Sequence, residues 1–271
     1  VSRAAVQAKK EAARAERRRG SIDRRAAAQA RAGAIWSEAA RYVREHAKAG
    51  ITTAELDERV ERLVLTAGGT PTNKGYRHRG EIHEPYPAAT CFMPNDMVSH
   101  GIPNSRSLRD GDVLTFDMGV TVDGMHADAA FTFSIGGVSA EVQRFIYTCN
   151  LALRAAITRC IPGNTVGQIS RAIETVVEEG GYGIVRALCG HGINSKYHDE
   201  PQIPNFYAGE IAKLYQGQAL AIEPIITLGS PEVKIGDDGW TIWTMDGSLA
   251  AQFEHTVVVN FEPKVLTEFP L

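Results

Sequence analysis

The sequence predicts an α+β fold in which helices cover one face of a largely antiparallel sheet, and three observations carry that expectation. Helical and strand periodicities come in blocks: helical up to about residue 69, strand-like around 112–136, helical again between about 141 and 180, and mostly strand-like after that. The best turn in the sequence, Asp123-Gly124, is of the two-residue kind that joins antiparallel neighbours. No Pro/Gly/Ser-rich linker divides the 271 residues, 44% of them hydrophobic, so one large core is expected rather than two small ones.

The elements follow in order. Ser21 is a plausible N-cap for a helix running through Ala34 and Trp36 to Tyr42, with Gly50 as its stop. Thr52 and Glu55 form a capping-box pattern for the next helix, where Leu56, Val60, Leu63 and Val64 recur at helical spacing before Gly68-Gly69. Asp112 to Gly136 reads as strand, turn, strand. A helix from about Glu141 to Arg159 places Val142, Phe145, Ile146, Cys149, Leu153 and Ile157 on one side and closes at Pro162-Gly163. The next opens on a Thr165 to Gln168 capping box and stops at Gly180-Gly181. Strands are then expected over Ile184 to Leu188, Ala219 to Leu228, Trp240 to Met245 and Ala250 to Val259. This order suggests two αβ halves sharing one sheet, without a close internal sequence repeat.

Composition narrows the class. No apolar run approaches the roughly 18 residues of a membrane-spanning helix, and no apolar segment with a small-residue cleavage site lies near the first residues, so neither membrane insertion nor secretion is expected. Cys91, Cys149, Cys160 and Cys189 are scattered without a C-x-x-C pair, which fits a reducing compartment such as the cytoplasm. The formal net charge of -3 conceals an asymmetry: residues 1–31 carry ten bases against three acids, a balance of +7 that leaves -10 for the remainder. The organisation expected is a basic arm over residues 1–20 and a single catalytic domain over 21–271. Such an arm fits contact with RNA, a ribosome or an acidic partner; Arg-rich, acid-poor segments also serve as transit peptides, and a solvated helix with one charged face is the plainer alternative.

The informative residues are acids in apolar strand contexts. With the turn at Asp123-Gly124, residue 117 pairs with 130 and residue 128 with 119, so Asp117 and Asp128 project from the same face of the hairpin on diagonal positions. Two carboxylates that close repel each other and desolvate unfavourably unless a cation lies between them. Glu223 in Ala219-Leu-Ala-Ile-Glu-Pro-Ile225 and Glu254 in Ala250-Ala-Gln-Phe-Glu-His-Thr-Val257 repeat the anomaly. His191, framed by glycines, completes a set of oxygen and nitrogen donors suited to Mn, Fe, Co or Zn. Each residue alone reads more readily as a solvent-facing acid or a satisfied core histidine; five together reverse that weighting.

The segments Ser99-His-Gly-Ile-Pro103, Asp117 with Asp128, Gly190-His-Gly-Ile193, Tyr197-His-Asp-Glu-Pro201, Ile222-Glu-Pro224 and Phe253-Glu-His-Thr256 resemble, in order and spacing, the motifs of the methionine aminopeptidase family. The resemblance covers roughly residue 21 onward, and the short stretch between His198 and Glu223 is similar to the type I enzymes. It implies the pita-bread fold: two pseudo-symmetric αβ halves sharing a curved, largely antiparallel sheet with helices on its outer face. It implies that Asp117, Asp128, His191, Glu223 and Glu254 hold two divalent ions, Asp128 and Glu254 bridging both. Hydrolysis would then proceed through a bridging water acidified by the metal pair, Glu223 accepting its proton and later donating one to the leaving amine. His100 and His198 match the histidines that hold the substrate amide and stabilise the tetrahedral intermediate. Tyr86, Cys91, Tyr197 and Trp240 fall on or beside positions that wrap a methionine side chain, for which aromatics and a soft sulfur are apt, although such residues are more often plain core. The function implied is removal of the initiator methionine from nascent polypeptides and peptides by a monomeric cytoplasmic enzyme.

Three departures from the family pattern stand out. The connection Arg77 to Pro85 is longer than usual, which bears on substrate preference; Pro94 interrupts an expected strand and is best tolerated at an edge; Ala129 replaces a common threonine beside Asp128. Two other readings remain. An Xaa-Pro peptidase shares the fold and ligands, but such enzymes usually carry a sizeable extra N-terminal domain, whereas only 116 residues precede Asp117. A non-catalytic pita-bread binding protein usually lacks some of the ligands.

Overall fold

The computed structural model of the chain describes residues 3–77 and 84–269. Helix α1 (Arg3–His46) continues unbroken through Ser21, which therefore caps nothing. Ala and Arg, both strong helix formers, flank the Gly20-Ser21 pair, and propagating an existing helix through two weaker residues costs little. From Ala28 onward one face is buried, through Ala28, Ala32, Ile35, Trp36, Ala39 and Val43. Gly33 is required there: a Cβ would lie 2.2 Å from the Leu266 carbonyl oxygen, so only glycine admits the later chain across the helix. Helix α2 (Thr53–Thr66) has the expected capping box, with Thr52 Oγ1 accepting from Glu55 N at 3.1 Å and the Glu55 carboxylate accepting from Thr52 N at 2.9 Å.

The strands of the first half are β1 (Thr70–Pro71), β2 (Cys91–Pro94), β3 (Met97–Ser99), β4 (Val113–Val122) and β5 (Met125–Ser134); α1 packs on β4 and β5, and α2 on α1 and β1. The β4–β5 hairpin has the register read from the sequence, Asp117 opposite Ala130 and Gly119 opposite Asp128. Its turn places Asp123 at φ 49° and Gly124 at φ 72°, the paired positive values of a type I′ connection. Pro94 ends β2 at the edge of the β1-β4-β2 sheet, where its missing N–H costs no ladder bond. Residues 78–83, the middle of the long Arg77 to Pro85 connection, lie outside the described residues.

The second half begins with α3 (Ala140–Ile157), capped by Ser139, and α4 (Val166–Gly180), which ends on Gly181 in the left-handed conformation. The strands of this half are β6 (Gly183–Ile184), β7 (Cys189–Gly192), β8 (Asp199–Pro204), β9 (Ala219–Ile222), β10 (Ile225–Thr227), β11 (Val233–Ile235), β12 (Ile242–Thr244), β13 (Ala250–Gln252), β14 (His255–Val258) and β15 (Lys264–Val265); α3 packs chiefly on β13 and β9, and α4 on β8 and β6. Every strand pair is antiparallel.

Two runs expected as single strands are each broken. Residues 219–228 divide at Glu223-Pro224 and residues 250–259 at Phe253-Glu254. Strands β9 and β14 pair in the sheet ordered β15-β14-β9-β7-β8, whereas β10 and β13 pair in the sheet β13-β10-β6. The two runs change sheet together, and a glutamate lies at each corner. A bridge between Ala130 and Glu254 joins this half to the first hairpin. The main core lies between helices and sheet, with Trp36 stacked on Phe116 at 6.0 Å and Phe131 on Phe269 at 5.5 Å. Among the described residues no helix is long and apolar enough to cross a membrane.

Candidate metal centre and active site

The inner face of the β4–β5 hairpin is polar because the alternation demands it. Residues 115, 117, 119, 128, 130 and 132 share that face, whereas Met118 and Ala129 point into the main core. Ala129 is therefore turned away from the centre, and the loss of a threonine there removes no hydroxyl from the carboxylates. Gly119 gives its N–H to Asn73 Oδ1 and accepts from Thr72 N, while Asp128 uses its own N–H and carbonyl with Thr256 Oγ1 at 2.8 Å. Residues 119 and 128 thus form a non-hydrogen-bonded pair, the arrangement that brings facing side chains closest.

Four segments deliver the remaining groups. His191 comes from β7, Glu223 and Glu254 from the two strand breaks, and Gln252 from β13. His191 Nε2 lies 3.9 Å from Asp128 Oδ2 and 3.7 Å from Glu223 Oε1. Ligand atoms of Asp117, Asp128 and Glu254 lie within 4.8 Å of one another, as do those of His191, Glu223 and Glu254, and of Asp128, His191 and His198. The four acids and the histidine singled out from the sequence therefore meet at one place.

Their electrostatics are those of a site without countercharge. Burial pushes the carboxyls of Asp117, Glu223 and Glu254 well above the usual carboxylate range, and the Asp128 charge adds to the effect. Burial raises Asp128 to about 7, opposed by a hydrogen bond from the Tyr197 phenol. His191 is held neutral, lowered to about 4 by burial. Asp128 Oδ1, Glu254 Oε1 and Gln252 Oε1 are buried without a hydrogen-bond partner among the described residues. Buried oxygens left without donors are costly, and a cation with its waters is the partner they lack. Carboxylate oxygens with one neutral imidazole form a donor set that fits divalent ions.

His100 stands at φ 53°, a conformation non-glycine residues seldom adopt, with its ring against Trp240 at 6.2 Å. His198 packs edge-to-face on His191 at 4.4 Å, and its Nδ1 lies 2.5 Å from the Tyr76 hydroxyl. Both histidines border the centre.

The pocket residues form a cluster apart from the main core. Tyr86, Cys91 and Trp240 pack with Ala88 and Met93 and, at the margin, Tyr76, Met97 and Ile102. Tyr86 meets Trp240 edge-to-face at 5.3 Å and donates its hydroxyl to the Gly101 carbonyl at 3.0 Å. Trp240 Nε1 donates to the Glu84 carbonyl at 3.0 Å. Together with Tyr197 these residues line a cavity of about 50 Å3 that ends on the carboxylates. It opens into a groove of about 750 Å3 bordered by His100, His198, Arg77, Lys196 and Asp199.

Asn73, Tyr76, Ser99 and Gln252 also line the cavity and were not singled out from the sequence. Gln252 had a usable signal, two residues before Glu254 on the same side of the chain, where its Nε2 reaches Glu254 Oε2 at 3.4 Å. Asn73 and Tyr76 had none, because Asn and Gly near Pro read as a plain turn.

The model of metallopeptidase family M24 matches residues 27–260. The chain is 39% identical to the methionine aminopeptidase of Clostridium perfringens over 239 residues, 88% of this chain and 93% of that protein. The crystal structure of methionine aminopeptidase from Thermotoga maritima is similar at a TM-score of 0.85 with 32% identity, over 90% of this chain and 96% of that one. Prolidase from Pyrococcus furiosus shares the fold at a TM-score of 0.72 with 18% identity, over 92% of this chain but only 65% of its own.

Proposed function

The chain belongs to metallopeptidase family M24 and is a metal-using hydrolase that removes N-terminal methionine from peptides, and from that premise we propose that Asp117, Asp128, His191, Glu223 and Glu254 would together hold two divalent ions. The observation that carries the assignment is the pair of buried oxygens, Asp128 Oδ1 and Glu254 Oε1, that have no other partner among the described residues. Co, Mn, Fe and Zn all suit the donor set, and availability selects among them. Bound there, such ions acidify water and polarise the scissile carbonyl.

The chain's own residues do the rest. Glu223, at the corner between β9 and β10, accepts the proton of the attacking water at its carboxylate and passes one to the leaving amine. With the Tyr76 hydroxyl as donor to Nδ1, the His198 ring would carry its proton on Nε2 and donate it toward the substrate carbonyl. His100, held against Trp240, orients the substrate amide. Tyr86, Cys91, Tyr197 and Trp240 enclose the methionine side chain, and the blind end of the cavity limits cleavage to the first residue. Residues 21–271 form the catalytic unit, acting as a monomer in the cytoplasm on the initiator methionine of nascent chains. Residues 1–20 form a basic arm that contacts RNA or the ribosome surface, a reading supported by the ten bases against three acids within residues 1–31.

The test is hydrolysis of Met-Ala-Ser, Leu-Ala-Ser and Ala-Pro-Ser by metal-stripped protein with Mn2+ or Co2+ restored, alongside calorimetric titration of the ion. Metal-dependent methionine release with two ions bound per chain is expected. A single ion bound at full activity would remove the two-ion assignment.

A further inference from the structure

Asn73 lies between the methionine pocket and the carboxylates, and none of the roles proposed above uses it. It is buried just beyond β1, and both ends of its amide are engaged. Nδ2 donates to Cys91 Sγ at 3.3 Å; Oδ1 accepts from Gly119 N at 2.7 Å and, at a longer 3.5 Å, from the Tyr197 hydroxyl. The backbone donor at Gly119 requires the oxygen on that side, so the orientation of the amide is fixed. Gly119 stands directly across the hairpin from Asp128. Its missing Cβ is what lets the phenol in, because a Cβ there would lie 2.6 Å from the Tyr197 hydroxyl oxygen. The same hydroxyl, seated over Gly119, therefore lies on the side of the hairpin that carries the Asp128 carboxylate, and it opposes the upward shift of that carboxyl. The Asn73 oxygen thus holds both the backbone of Gly119 and the phenol seated on it.

We propose that Asn73 is a positioning residue that couples the methionine pocket to the metal centre: its amide sets the Cys91 sulfur on the pocket wall and, through the Gly119 N–H and the Tyr197 phenol that both rest on its oxygen, sets the hairpin position facing the Asp128 carboxylate. Being an uncharged amide, it moves no proton itself. The coupling is effective because all of these groups are buried, where a hydrogen bond broken at one end leaves its partner unsatisfied at the other. The inference rests on the assignment of Asp128 as a metal ligand.

Asn73→Leu keeps the volume and removes every one of these bonds, whereas Tyr197→Phe removes only those of the phenol. Mn2+ titrated calorimetrically into the metal-stripped variants should bind roughly tenfold more weakly in each. The double variant should be little weaker than Asn73→Leu alone, since both changes cut one link. Asn73→Leu should also lower the kcat/KM ratio of Met-Ala-Ser to norleucine-Ala-Ser, while Tyr197→Phe, which keeps the ring, leaves that ratio in place. A packing role alone would lower Tm in both variants with Mn2+ affinity unchanged to within about twofold and with additive effects, and that result overturns the coupling. Should Asn73→Leu fail to fold, unchanged Mn2+ affinity in Tyr197→Phe is sufficient to overturn it. Asp128→Asn separates the two levels: if it too leaves Mn2+ binding intact the ligand assignment fails, and if it abolishes binding while the other variants have no effect only the coupling fails.

Discussion

Asp128 faces Gly119 across the hairpin, receives the Tyr197 phenol and leaves one oxygen without a partner, so a change there touches every part of the centre. Asp128→Asn should weaken metal binding by about 10- to 100-fold or more and depress hydrolysis in parallel. Near-normal turnover in metal-limited buffer would remove Asp128 from the ligand set. Tyr76→Phe makes a narrower demand: it removes the phenol that lies on Nδ1 of His198 and helps orient that ring, and kcat for Met-Ala-Ser should fall about tenfold, less than the roughly 10²–10⁴ a positioned acid–base group supplies, with KM little altered. A rise in KM at constant kcat would make Tyr76 only a pocket wall. For Trp240→Ala, methionine should lose its advantage over leucine at the first position more than the protein loses stability; equal loss on every peptide would mean that Trp240 is plain core.

At the scale of elements, the helices stabilise and the strand breaks position. Thr52→Ala removes one partner of the α2 capping box and should cost about 1 kcal/mol in denaturant titration without changing Mn2+ affinity, because α2 packs on α1, β1 and the main core and lends no residue to the centre. A loss of affinity would show that α2 transmits strain to the hairpin. The breaks at Glu223-Pro224 and Phe253-Glu254 have a different purpose. A side chain in a continuous strand is tied to one face of one sheet, whereas a corner residue between two sheets is free to point into the gap between them. Proline at 224 helps impose one corner by withdrawing a ladder donor.

On the scale of the whole molecule, metal and protons compete for the same groups. Without metal, burial raises Asp117, Glu223 and Glu254 well above, and Asp128 to about 7 from, the ordinary value near 4. Between those values the folded chain holds protons that the unfolded chain has released, so stability falls as pH rises. His191 and His255, lowered to about 4 and about 3, act in the opposite sense up to their ordinary value of 6.5, but the four carboxylates outnumber them. The rise in Tm on adding Mn2+ should therefore be larger at about pH 8 than at about pH 5.5. An equal rise at both would place the ion away from these carboxylates. The basic arm belongs to the same scale: removing residues 1–20 should leave turnover of short peptides intact and abolish salt-sensitive RNA binding, whereas a large loss of turnover would make the arm part of the catalytic unit.

The sequence by itself determined the helices from α2 onward, the hairpin with its register and the identity of the acids. Each is a local matter: Thr52 and Glu55 cap within one turn, Asp123-Gly124 selects one turn type, and period-two alternation then fixes which residues oppose Asp117 and Asp128. Ser21 misled because a good local cap counts for little inside a helix already propagating. Only the tertiary structure decided that the runs at 219–228 and 250–259 are each two strands, since an apolar run reads alike whether or not it changes sheet. It also decided that Ala129 faces the core, that Tyr76 holds His198, and that Asn73 lies between Cys91, Gly119 and Tyr197. Those partners come together from distant parts of the chain, and a turn-like asparagine or a lone tyrosine carries no local mark of what the fold will bring beside it.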